Sequence, residues 1–193
     1  ASMTALQALR NKGNIRQGQE ILILGSSGGV GTMAIQLARH FGAVITAVCS
    51  TRNMEQSRSL GADRVIDYTK EDFTAGNRKY DLILAVNGNY PLLKCRKALK
   101  TDGRYVLVGG ALSQIFKAIV IGKPLSVGRK KILFLAAKTD TGDLNYLLDL
   151  AARGIIKPVI GKYFSAETTA EAMKYAAGGH SSGKVVIKWN PEG

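Results

Sequence analysis

Thiols and imidazoles are scarce in this sequence, which holds two cysteines, Cys49 and Cys95, and two histidines, His40 and His180. So few ligands at no ligand-like spacing argue against a zinc site, and no metal is expected. Both cysteines lie in apolar surroundings, Ala47-Val48-Cys49 and Leu93-Lys94-Cys95, which predicts buried reduced thiols rather than a disulfide. No apolar run reaches the roughly 18 residues of a membrane span. The opening ASMTALQALRNKG has neither a basic leader nor an apolar signal core, so a cytoplasmic protein is the expectation. Acidic residues are also few: 14 Asp+Glu against 27 Lys+Arg leave a net charge of +13. Such a field draws anions, whether phosphorylated cofactors, nucleic acid or an anionic membrane surface. The tightest basic groups, Lys94-Arg96-Lys97-Lys100 and Arg129-Lys130-Lys131, have no interleaved aromatics, so they read as solvated faces and not as a nucleic-acid platform.

What the chain has in abundance is alternation, within a length of 193 residues that suits one domain with a full core. Short apolar runs suggest strands at Ile21-Leu24, Val44-Val48, Arg64-Ile66, Leu82-Val86, Tyr105-Val108 and Ile132-Ala136. Helical patterns fall between them at 29–41, 53–60, 89–100 and 111–121, the first with Val30, Met33, Ala34, Leu37, Ala38 and Phe41 at helical spacing. Near-continuous apolar strands separated by helices predict βαβ units and a parallel sheet covered on both faces. The turns Gly61-Ala62-Asp63 and Asp102-Gly103 are expected where helices hand over to strands. After a helix at 141–153 the character changes. Pro158-Val159-Ile160 and Tyr163-Phe164 precede a helix at 167–177 and a last strand, Lys184–Lys188. These late strands have no place in a six-stranded sheet.

The densest signal is ILILGSSGGVG at 21–31, where seven positions after Leu24 hold four glycines and two serines. A P-loop would continue Gly-Lys-Ser/Thr, but Gly31 is followed by Thr32. A short-chain dehydrogenase turn fits Gly25, Gly29 and Gly31, yet its Tyr-x-x-x-Lys pair has a match only at Tyr90–Lys94, too early for an active-site helix. A dinucleotide turn fits as Gly25-x-x-Gly28-x-x-Gly31. Glycine there closes the turn and lets backbone approach a pyrophosphate at the helix N-terminus. The competing reading is a tight turn of purely structural use.

About 20 residues beyond such a turn, an Asp or Glu ordinarily takes the ribose of NAD. This chain has Val48-Cys49-Ser50-Thr51-Arg52-Asn53 and no carboxylate. Hydroxyls and a guanidinium suit a 2′-phosphate instead, so Ser50 and Arg52 point to NADPH. Ser50 can equally cap the next helix, and the two roles are compatible.

Gly25–Ala38, then Cys49-Ser50-Thr51-Arg52-Asn53, then Ser59–Tyr68 resemble the cofactor domain of medium-chain dehydrogenase/reductases of the zinc-independent quinone oxidoreductase branch. Tyr80-Asp81-Leu82-Ile83, Val108-Gly109-Gly110 and Gly183-Lys184-Val185-Val186-Ile187 agree with it. The resemblance implies an α/β fold, a Rossmann-type doubly wound six-stranded parallel sheet. Residues 1–156 would form the NADP-binding domain with a leading linker helix, and 157–193 would return to complete a GroES-like catalytic domain. In that family most of the catalytic domain precedes the cofactor domain, so a fragment of a longer enzyme is expected. By matching positions, Ser27, Gly28, Gly29 and Val30 would hold the pyrophosphate, Ser50 and Arg52 the 2′-phosphate, and Tyr68 would lie near the adenine. Asn87, Val108, Gly109 and Gly110 would border the ribose and nicotinamide, with Phe134, Leu135 and Ala136 approaching the nicotinamide and Thr4 its carboxamide. Many relatives carry a basic residue where this chain has Met54, which places more of the phosphate binding on Arg52. For Tyr68, Phe134 and Leu135, ordinary packing is the competing role.

The chemistry implied is hydride transfer from NADPH to a quinone, enone or similar small electron acceptor, with donor and acceptor held in near-attack geometry. No catalytic residue is identified in this chain. The resemblance also implies a homodimer paired through the sixth strand, Ile132 to Ala136. Two other readings remain open: the cofactor domain of a zinc-dependent alcohol dehydrogenase, and a non-catalytic module that binds NADPH or RNA.

Overall fold

The computed structural model describes residues 1–86, 90–109, 129–179 and 181–189. Helix α1 (Ser2–Gln7) runs into a π-helical turn, Ala8–Lys12, before β1 (Glu20–Leu24). Then follow α2 (Gly29–His40), β2 (Val44–Cys49), α3 (Met54–Ser59), β3 (Arg64–Asp67) and β4 (Tyr80–Val86). The chain continues through α4 (Leu92–Ala98), β5 (Leu99–Val108), β6 (Lys131–Leu135) and α5 (Thr141–Ala152). It ends with β7 (Ile160–Ser165), α6 (Thr169–Ala177) and β8 (Lys184–Lys188).

Strands β1 to β6 form one parallel sheet in the order β3-β2-β1-β4-β5-β6. That order defines a doubly wound α/β sheet, whose chain direction switches between β1 and β4. Strand alternation explains why both faces are apolar. In β1, Ile21 and Ile23 enter one core with Leu82, Leu84, Leu37 and Leu150, while Leu22 and Leu24 enter the other with Ile83, Tyr105 and Cys95. Each fully buried Ile or Leu contributes about 1.5–3 kcal/mol relative to exposure, so this strand pins the sheet between its two helical layers.

The Asp102-Gly103 turn departs from expectation. Helix α4 ends at Ala98, and β5 begins at once: Tyr80 pairs with Leu99, the register shifts, and Leu82 pairs with Arg104. Asp102-Gly103 therefore lies inside an irregular strand, where the Tyr80 carbonyl would sit 2.9 Å from any Cβ on Gly103. The candidate helix at 111–121 lies outside the described residues.

The late strands form a separate two-stranded parallel sheet, β7 against β8, with α6 beside it and Phe164 against Tyr175 at 5.8 Å between ring centroids. Among the described residues a backbone bridge, Gly28 to Gly183, joins this unit to the glycine turn after β1.

Candidate functional site

The glycine turn leaves β1 at the switch point. Gly25 has φ +76°, and a Cβ there would collide with the Val86 carbonyl, so only glycine lets the chain turn away from β4. Gly31 is needed for a different reason: a Cβ would strike the Gly25 carbonyl, on which the first turn of α2 rests. Ser26 is fully buried and works inward, its hydroxyl 3.1 Å from the Val48 carbonyl and 3.2 Å from Ser57 Oγ.

Helix α2 starts at Gly29 with Gly28 as its cap residue, and no side chain caps it. The first intrahelical bond is Thr32 N–H to the Gly28 carbonyl at 2.9 Å. The N–H groups of Gly29, Val30 and Gly31 thus have no partner within the helix. The first turn contains no acidic residue, so the positive helix end faces outward unneutralised.

Beside it, Ser50 opens the short 3-10 turn Thr51–Asn53. Its hydroxyl makes no cap bond; it accepts from Asn53 Nδ2 at 3.1 Å. Capping is therefore not its task here. A carboxylate does reach this end of the sheet, but from β3: Asp67 pairs with Cys49 across the ladder. Both its oxygens are taken, Oδ2 by the Thr51 hydroxyl and Oδ1 by the Thr69 hydroxyl and N–H at 2.7 and 3.0 Å. Those hydrogen bonds, that of Thr51 first, hold its carboxyl pKa below the ordinary carboxylate range. Beneath the same corner, burial pushes the Cys49 thiol up.

These elements enclose a cleft of about 420 Å³, within the range of small-molecule sites. Ten of the predicted site residues line it: Thr4, Ser27, Gly28, Gly29, Val30, Ser50, Arg52, Tyr68, Val108 and Gly109. Asn87 and Gly110 lie outside the described residues. Phe134 and Leu135 are not among the lining residues; β6 sends them to opposite cores, Leu135 beside Val108 and Phe134 towards Leu107 and Ile132. No carboxylate is among the described residues that line the cleft, whereas Arg52 and Lys184 both do.

Gly25 and Val86 also line it, and part of the wall was not foreseen from the sequence: Asn53, Gly179, Ser181 and Lys184. The last three come from the β7–β8 unit, more than 120 residues downstream of Asn53. Gly183 N–H donates to the Ser27 carbonyl at 2.8 Å, and the Ser182 hydroxyl donates to Asn53 Oδ1. Only Gly183-Lys184 ahead of an apolar strand hinted at this. Among the described residues no cluster of His, Cys, Asp and Glu could hold a metal ion.

A family model described as zinc-binding dehydrogenase matches residues 60–187. The chain belongs to that family, in the quinone oxidoreductase-like branch of the medium-chain dehydrogenase/reductases. It is 28% identical to a chloroplast envelope quinone oxidoreductase homolog of Arabidopsis thaliana, covering 97% of this chain and 59% of that protein. It is 35% identical to an NADPH-dependent alkenal/one oxidoreductase of the same plant, covering 88% of this chain and 40% of that protein. Among solved structures, the quinone oxidoreductase from Coxiella burnetii matches with a TM-score of 0.84 and 29% identity, over 96% of this chain and 57% of the other. The chain therefore spans about half the length of the relatives it matches.

Proposed function

We propose that this chain is the NADPH-binding part of a reductase that acts on quinones, enones or similar electron-poor double bonds. The observation that carries the reading is the sign of the cleft. An uncapped helix N-terminus, the Ser50 hydroxyl and the Arg52 guanidinium converge with no carboxylate among the described lining residues. That donor set fits a pyrophosphate at one end and a 2′-phosphate at the other. Relatives named as quinone and NADPH-dependent alkenal/one oxidoreductases support the class of reaction.

When bound, NADPH would supply the hydride. This chain's own groups bind and orient it. The N–H groups of Gly29, Val30 and Gly31 face the pyrophosphate, and Ser27 and Gly28 shape the turn beneath it. Ser50 and Arg52 take the 2′-phosphate, and Tyr68, half exposed at the rim, offers a ring to the adenine. Val108 and Gly109 border the nicotinamide end with Thr4, and we assign Asn87 and Gly110 to the same end, while Phe134 and Leu135 pack into the two cores beneath it. Near-attack positioning of donor and acceptor is the contribution such a cradle makes to rate.

The β7–β8 sheet belongs with a catalytic domain under this reading: its exposed Tyr163, Ile187 and Trp189 are large apolar groups to be covered by it. Strand β6 is the sheet edge, and we propose it as the seam of a homodimer.

The test is titration of the purified chain with NADPH and NADH. NADPH binds more tightly, and Arg52→Ala weakens NADPH binding by about 10- to 100-fold, the worth of a charge-assisted contact, while NADH binding is nearly unchanged. Equal losses for both dinucleotides would overturn the 2′-phosphate assignment.

A further inference from the structure

The two basic groups that stand apart in the sequence come together in the fold. Lys130 Nζ donates to the Arg96 carbonyl at 3.0 Å and Lys79 Nζ to the Lys97 carbonyl at 2.9 Å, so two ammonium groups close the carboxyl end of α4. Arg104 pairs with Lys131 across β5 and β6. Residues 78–81, 96–104 and 129–131 therefore share one surface, at the amino ends of β4, β5 and β6. They carry nine Lys and Arg against two carboxylates, Asp81 and Asp102, so more than half of the net charge of +13 lies at this end.

Packing accounts for part of that charge and leaves the rest. Lys100 stands 2.7 Å from Asp81 and Arg129 2.6 Å from Asp102, so both carboxylates are taken. Lys97 and Lys131 are exposed and make no ion pair among the described residues. The crowding is felt within the group: burial first, then the Arg96 and Lys79 charges, pushes the Lys130 ammonium below its ordinary pKa. Cations gathered against their mutual repulsion are relieved by an anion from outside.

The form of the surface selects the kind of anion. Among the described residues, none of the exposed large apolar side chains falls in these segments, and Tyr80 and the neighbouring Tyr105 are buried. The surface offers no ring on which the bases of a single strand would stack. Its cations are spread along the starts of three adjacent strands, a broad face. A layer of lipid headgroups needs only such a face, because clustered Lys and Arg are drawn to it by charge.

We propose that this end of the sheet is a docking surface for an anionic lipid bilayer, holding the protein at the membrane surface without insertion. The cofactor cleft opens at the other end of the same strands. Arg104 and Val108, which lines that cleft, are four residues apart on β5, about 13 Å along a strand. Docking through the basic end leaves the cleft open to water, and the inference holds whatever the cleft binds.

The test is co-sedimentation of the chain with vesicles of phosphatidylcholine, alone or mixed equally with phosphatidylglycerol. Binding is expected to the mixed vesicles only, and is lost in about 1 M salt, where the screening length is about 3 Å. Lys97→Gln combined with Lys131→Gln weakens it by about 10- to 30-fold, two charges at the headgroup layer, with the melting temperature unchanged because neither side chain is paired. Lys138→Gln combined with Lys174→Gln removes as much charge from exposed positions beyond β6 and on α6, and binds nearly as the unsubstituted chain does. Saturating NADPH does not release the chain. Equal losses in the two double variants would reduce the attraction to net charge and overturn the docking surface. Release by NADPH would place the contact in the cleft and overturn it as well. So would binding to single-stranded RNA that depends on Lys97 and Lys131 and is tighter than binding to the mixed vesicles, or no binding to either kind of vesicle.

Discussion

The Ser182 hydroxyl donates to Asn53 Oδ1, joining the loop before the last strand to the turn after the second. Asn53 is 5% exposed and spends its amide nitrogen on Ser50 Oγ at 3.1 Å, so it holds the proposed 2′-phosphate ligand from behind. Replacing Asn53 with Ala removes both contacts and frees the Ser50 rotamer. NADPH affinity is expected to fall by about 3- to 10-fold, one ordinary hydrogen bond, with NADH affinity changing less. Hydrogen exchange of the 181–185 amides should rise in parallel. Unchanged exchange there would show that Asn53 does not hold the loop.

The glycine turn separates stability from binding. Gly25→Ala places a Cβ at φ +76° against the Val86 carbonyl, and a strained non-glycine residue of this kind costs about 1–3 kcal/mol before the collision is relieved. Gly28 has φ −77°, and a Cβ on it meets nothing within 4 Å. Gly28→Ala should therefore melt within a degree or two of the unsubstituted chain, by the usual scale of neutral surface changes. It should still bind dinucleotide less tightly, because its methyl group stands in the cleft. Equal loss of melting temperature in the two variants would refute the distinction.

Much of this was legible in the sequence because its causes are local. Four glycines in seven positions can serve few turns, and the apolar strand runs with helices between them fix a parallel sheet. Ser50 and Arg52 stand where they do because β2 ends at Cys49, a boundary visible in the apolar run. What was not legible arises from topology. Asp67 reaches the end of β2 only because β3 pairs beside it, and Lys184 reaches α2 only because Gly183 bridges to Gly28. Asp102-Gly103 has the look of a turn, but β5 absorbs it as a register shift because Leu99 already pairs with Tyr80. No local pattern carries that pairing.

Thr4 sits in the cleft on α1, and α1 is held by Asp143 of α5. Asp143 is 5% exposed; its Oδ2 accepts from Gln7 Nε2 at 2.8 Å and its Oδ1 from Arg10. The Gln7 contact first, then Arg10, lowers its pKa below the ordinary value of 3.8. The folded state therefore prefers the carboxylate. Its contribution is complete above pH 3.8 and fades as pH falls through the lower value of the folded chain. Asp143→Ala removes the charged hydrogen bonds to Gln7 and Arg10, leaving the Gln7 amide only its Lys138 backbone partners, and should cost about 1–3 kcal/mol at pH 7. Asp143→Asn should lose less, and its stability should fall less steeply in acid. Parallel acid denaturation curves for Asp143→Asn and the unsubstituted chain would remove Asp143 from this account.

The two thiols make the opposite prediction at the alkaline end. Cys49 and Cys95 are free and buried, and Cys95 is 0% exposed in the core beneath α4. Burial raises both, and pushes Cys95 up to about 12 from an ordinary 9.0. Here the folded state prefers the neutral group. Its contribution is complete below pH 9.0 and is lost as pH rises towards 12, since the unfolded chain ionises first. The thiolate is the nucleophile, so iodoacetamide at pH 8 should modify neither cysteine in the folded chain and both once it is unfolded in guanidinium. Mass spectrometry reads the outcome directly. Cys95→Ser should flatten the alkaline limb of the stability profile, because a serine hydroxyl does not ionise there, while lowering stability at pH 7 by setting a hydroxyl among Leu99, Tyr105 and Ile83. Prompt alkylation of Cys95 at pH 8 without unfolding would mean that α4 opens readily over this core.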